Sequence, residues 1–106
     1  MENINELFET FKLNCEVLKN TIKKQNIPCI VECKLYDKYN WFCGTFMVDK
    51  FGGTGAIVKY YNSTWFINEE ECNSELDALM RIPEIMVSIY KNRNLKSVYD
   101  NVNNNY

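Results

Sequence analysis

Apolar residues recur along the start of the chain at steps of three and four: Ile4, Leu7, Phe8, Phe11, Cys15, Leu18 and Ile22. Steps of that length return to one face of an α-helix, so the spacing predicts an amphipathic helix from about residue 4 to residue 25. Asn3, with Glu6 three positions later, supplies a start signal, and Pro28 lies just beyond the end of the stripe. From Pro28 the period changes to two. Cys29, Val31, Cys33 and Leu35 alternate with Ile30, Glu32, Lys34 and Tyr36, the pattern of a strand with one face in a core. The segment "DKYN" then reverses the chain into a second strand, Trp41 to Val48, which is apolar on both faces.

Three of the four glycines, Gly52, Gly53 and Gly55, fall next, within "KFGGTGAI". A phosphate-binding loop would close with Gly-Lys-Ser/Thr and open a helix, whereas here the glycines lead into the strand-like "AIVKYYN". They are expected to turn the chain, supplying positive φ for a hairpin connection. A second reversal at Asn62-Ser63 pairs "AIVKYY" with "TWFIN", which makes a four-stranded antiparallel meander. Past the acidic stretch "NEEECNSELD", Ser74 and Asp77 form a capping-box pattern for a helix carrying Leu76, Leu79 and Met80. Pro83 either kinks that helix or starts a new one running to about Lys91. Leu95, Val98, Tyr99 and Val102 have the spacing of a weak final helix, followed by a disordered tail over residues 103–106. The expected fold is α+β: an N-terminal helix, the meander, and a C-terminal helix or helix pair, in one globular domain over residues 1–102.

Composition narrows the classes. A chain of 106 residues, 46% hydrophobic and 14% aromatic, fits one compact core. Its start, "MENINELFET", lacks a basic segment followed by an apolar run, and no apolar stretch approaches a membrane span. A cytoplasmic protein with no membrane partner is therefore expected. Five cysteines without a secretory signal argue for reduced thiols over a disulfide framework. A net charge of −2 offers no global attraction to nucleic acid.

The chain contains no histidine, so Ser-His-Asp and Cys-His catalysis and histidine-ligated zinc are excluded. Cys29, Cys33 and Cys43 fall within one predicted hairpin, but Cys29 and Cys33 lie on a strand's apolar face alongside Val31 and Leu35 and lack the spacing of a zinc knuckle. No metal, cofactor or catalytic residue is assigned. Cys72 alone sits where a helix start would activate a thiol, and the neighbouring glutamates oppose that.

Two surfaces remain as binding candidates. Glu69, Glu70 and Glu71, with Glu75 and Asp77, form either a solvated helix cap or a negative patch that meets a basic surface. If the first strand buries Cys29, Val31, Cys33 and Leu35, the opposite sheet face carries Ile30, Glu32, Lys34 and Tyr36. Matching the phase along the meander adds Trp41, Cys43, Met47, Ile57, Lys59 and Tyr61. Helices on both sides would make these a second core. Helices on one side would leave Tyr36, Trp41, Met47 and Tyr61 in a polar frame, the composition of an interface hot spot.

The leading expectation is a small non-enzymatic protein that binds another protein, one with a basic or nucleic-acid-binding surface, as an inhibitor, adaptor or immunity-type partner. Inhibitors of host defence complexes made by phages and mobile elements, anti-CRISPR proteins among them, are a class with comparable size and charge. The alternatives are a single-stranded nucleic-acid module stacking bases on Tyr36, Trp41 and Tyr61 beside Lys34 and Lys59, and a small thiol- or carboxylate-dependent enzyme.

Overall fold

The computed structural model describes residues 3–49 and 55–104. Helix α1 spans Ile4–Lys24 and is followed by strands β1 (Ile30–Tyr36), β2 (Trp41–Met47), β3 (Gly55–Tyr61), β4 (Thr64–Ile67) and β5 (Glu70–Cys72). Helices α2 (Glu75–Met80) and α3 (Ile82–Asn104) complete the chain. The five strands form one antiparallel sheet in sequence order, so the architecture is α+β with one strand more than the meander read from the sequence.

The start signal of α1 works as its residue types dictate. Asn3 Oδ1 accepts hydrogen bonds from the N–H groups of Asn5 (3.0 Å) and Glu6 (3.4 Å), satisfying donors the first turn leaves free. Asn26, at φ 63°, turns the chain out of the helix before Pro28. The helix buries Phe8, Phe11, Cys15 and Ile22, the stripe set by its period.

The three described reversals between strands use residues at positive φ. Asn40 at φ 60° closes the short 3-10 turn Asp37–Tyr39 between β1 and β2. Asn62 and Ser63, at 53° and 60°, make the two-residue turn between β3 and β4. Asn68 and Glu69, at 47° and 72°, make another, and it brings "EEC" back along β4. That second turn corrects the reading of Glu69–Glu71 as part of a helix cap: they belong to a turn and an edge strand, and the helix starts only after Ser74. Glutamate disfavours strands intrinsically, but here the hairpin geometry and the burial of Cys72 outweigh propensity. The connection from β2 to β3 joins antiparallel neighbours; Gly52 and Gly53 lie outside the described residues, and Gly55, expected to supply positive φ, instead opens β3 without it.

Ser74 Oγ accepts from the Asp77 N–H (3.0 Å), and Asp77 Oδ2 accepts from the Asn73 N–H (3.3 Å), so the capping pattern is used nearly as read. Pro83 sits in the first turn of α3, where its missing N–H costs no hydrogen bond. The two helical segments expected after it are one continuous helix to Asn104, because "KNRNL" contains weak helix formers but neither proline nor glycine. Residues 103 and 104 thus belong to α3, and 105 and 106 lie outside the described residues.

A single core joins the layers. Phe42, Phe46, Ala56, Val58 and Ile67 from the sheet cluster with Phe11, Cys15 and Ile22 of α1, with Ala78 and Leu79 of α2, and with Ile82 and Met86 of α3. All three helices therefore cover the same side of the sheet.

Candidate functional site: an open sheet face

Pairing register fixes which side chains share the uncovered face. Lys34 of β1 lies opposite Cys43 of β2, Cys43 opposite Lys59 of β3, Lys59 opposite Phe66 of β4, and Phe66 opposite Glu71 of β5. This row crosses the whole sheet. On one side of it run Glu32, Thr45 and Ile57, with Ile30 and Met47 a further step along. On the other side are the pairs Tyr36–Trp41 and Tyr61–Thr64. None of these side chains is buried, and none belongs to the core cluster or packs against it. Their alternating neighbours Phe42, Gly44 and Phe46 are fully enclosed beneath the helices. Ile57 remains 47% exposed and Tyr61 51%, so the face is open to solvent.

The aromatic groups on this face are held by one another. The Tyr36 and Trp41 rings stack 4.2 Å apart with planes 8° from parallel. Lys34 Nζ lies 5.6 Å from the centre of the Tyr36 ring, and Lys59 Nζ lies 5.9 Å from Tyr61 and 5.1 Å from Phe66. Such contacts fix long side chains at modest cost in entropy, and they give a flat apolar surface with two ammonium groups near its middle. Glu32 and Glu71 balance the two lysines, so the face carries no net charge.

The residues singled out in the sequence divide as follows. Tyr36, Trp41, Met47, Lys59 and Tyr61 come together on the face, and Glu71 joins them through its place opposite Phe66. Glu70 alternates to the other side, where Arg81 bridges its Oε2 (3.3 Å) and the Asp77 Oδ2 (3.4 Å). Glu69 sits in the turn. The acidic run is therefore split between two directions, with part of it engaged by a cation. Phe66 was missed, although the alternation of Trp65 and Ile67 with it in "TWFI" is a period-two signal that places it outward.

Chemistry at the thiols is subdued with one exception. Burial pushes the pKa of Cys29, Cys43 and Cys72 up. Cys15, enclosed under α1, donates a hydrogen bond to Cys33, so its own pKa is raised and that of Cys33 lowered. Cys72 is buried, and so lacks the exposure an activated thiol needs. Among the described residues, no group of three or more Cys, Asp or Glu side chains could hold a metal ion. No described helix is long and apolar enough to cross a membrane. No family model matches the chain, nor does any curated protein or solved structure.

Proposed function

We propose that the protein is a non-enzymatic binding protein whose open sheet face docks on another protein, as an inhibitor, adaptor or immunity-type partner. The observation that carries this reading is that all three helices cover one side of the sheet and leave Tyr61 exposed and Tyr36, Trp41, Met47 and Phe66 half-buried on the other, outside the core. Flat surfaces with aromatic anchors inside a polar frame are what protein interfaces use at their centres. The charge balance on the face favours a protein over nucleic acid, since a strand-binding groove needs a surplus of cations along its path. Glu69 and Glu71 at one margin would complement a partner with a basic, nucleic-acid-binding surface and would steer its approach. Defence-complex inhibitors of the anti-CRISPR kind are one class of small protein that acts in this way.

The test is affinity capture from the native host with wild-type, Trp41→Ala and Tyr61→Ala chains as bait, read by mass spectrometry with and without nuclease. A protein captured by the wild type, retained after nuclease and lost with either variant, is the expected result. Capture that disappears with nuclease, together with direct binding of single-stranded oligonucleotides, would replace this reading with the nucleic-acid module.

A further inference from the structure

On the opposite side of the molecule, four large apolar side chains stand in solvent: Leu13, Val17, Leu76 and Met80, each between 66% and 70% exposed. They form i,i+4 pairs on two neighbouring helices. Val17, Leu76 and Met80 line an apolar groove of about 320 Å3 between α1 and α2, with Leu18 and Leu79 also in its wall. The two helices are tied beside it by a hydrogen bond from Asn14 Nδ2 to Glu75 Oε1 (2.9 Å). The apolar stripe that builds the core accounts for none of the four exposed residues.

We propose that this face is a two-fold interface between two copies of the chain, with their α1 helices packed antiparallel. The occupant is argued from the pattern on α1 itself. At 3.6 residues per turn, Glu6, Leu13, Val17 and Lys24 project within ~40° of one another, on the side of the helix away from the sheet. A two-fold axis passing by Cys15 sets Leu13 against Val17 of the second copy and Glu6 against its Lys24. One operation therefore satisfies both apolar positions and both charges, which is the self-complementarity an isologous contact requires. Neither Glu6 nor Lys24 has an ion-pair partner among the described residues, whereas Glu9 and Glu16 pair with Lys12 and Lys19 on the same helix. Leu76 and Met80 of each copy then flank the α1 of the other, and the two open sheet faces point away from each other.

The full-length chain is examined by sedimentation velocity up to hundreds of micromolar, with circular dichroism as a check on folding. The wild type is expected to dimerise, and Leu13→Asp or Met80→Asp to raise the dissociation constant at least ~10-fold by placing a charge in an apolar contact. Glu6→Lys and Lys24→Glu each create two like-charge contacts per homodimer and are expected to weaken association about threefold or more. Mixing these two single variants is expected to restore it, since every contact in the mixed dimer again joins opposite charges. The mixture also separates association from folding, because each variant still bears a charge unfavourable to its own helix end. A monomeric wild type, a dimer indifferent to Leu13→Asp, or a dimer not restored on mixing would each overturn the proposal. So would a dimer broken by Trp41→Ala and not by Leu13→Asp, which would move self-association to the sheet.

Discussion

Trp41 and Phe42 are adjacent in the chain and opposite in environment. Phe42 is fully enclosed, with the rings of Phe8, Phe11, Tyr60 and Trp65 all within 5.6 Å of its own. Trp41 stacks on Tyr36 at the rim of the open face. Phe42→Ala is therefore expected to cost about 3–5 kcal/mol, and Trp41→Ala about 1–2 kcal/mol from the lost stack and partial burial. Urea melts of the two variants decide the matter, since equal losses would mean that Trp41 is core. The cysteines differ from one another for a similar reason. Cys33 is half-buried with a lowered pKa, while Cys15 is enclosed and holds its proton. Limited alkylation at neutral pH, read by peptide mass spectrometry, is expected to label Cys33 before Cys15 and Cys29. Sequence spacing assigned Cys29 and Cys33 to one apolar face, but it held no sign of the Cys15 contact that distinguishes them, because that contact bridges a helix and a strand far apart in the chain.

Between elements, α1 approaches β2 closely. A Cβ placed on Gly44 would lie 2.8 Å and 2.9 Å from two carbons of the enclosed Phe11 ring. Gly44→Ala must push α1 off the sheet or tilt that ring, at a cost of about 1–3 kcal/mol, measurable as a lower melting temperature. The β4–β5 hairpin has its own anchor: Asn68 takes positive φ, and its Oδ1 accepts the Ile57 N–H at 2.8 Å. Asn68→Ala loses both and is expected to cost about 2 kcal/mol, whereas Asn68→Gly keeps the turn and loses only the bond, about 1 kcal/mol. Equal destabilisation by the two variants would show that φ at this position carries no weight. These elements also mark where sequence reading stops. Helix α1, its cap, β1 to β4 and the Ser74 start were legible because each is specified by a local period or a local turn residue. Strand β5 was hidden, since a three-residue edge strand of two glutamates and a cysteine shows no period. The continuity of α3 was hidden as well, since Pro83 is a helix breaker in most contexts and harmless only at the position it occupies.

For the molecule as a whole, the phase of β1, β2 and β3 was legible, and with it most of the open face; Phe66 of β4 and Glu71 of β5 were not placed there. Whether that face was covered was not legible, because coverage depends on which side α1, α2 and α3 cross the sheet, and nothing local to a strand encodes this. The same two-layer arrangement governs how stability depends on pH. With no histidine, no side chain of ordinary pKa titrates between about pH 6 and 8, so the melting temperature is expected to change little across that interval beyond the effect of the lowered Cys33 pKa. Above it the thiols take over. A raised pKa in the folded state contributes stability that is fully present below the unfolded value, 9.0 for these thiols, and is lost as pH rises through the folded value. Cys15, Cys29, Cys43 and Cys72 all shift this way. The lowered pKa of Cys33 acts in the opposite sense, contributing stability above the unfolded value that is lost as pH falls through the folded one. With four thiols against one, stability is expected to fall as pH rises past about 9, and replacing Cys29 by alanine to reduce that slope. Thermal melts from pH 6 to 10 check this directly: a plateau extending past 9 would mean that the thiols of Cys15, Cys29 and Cys72 are not buried as the shared core requires.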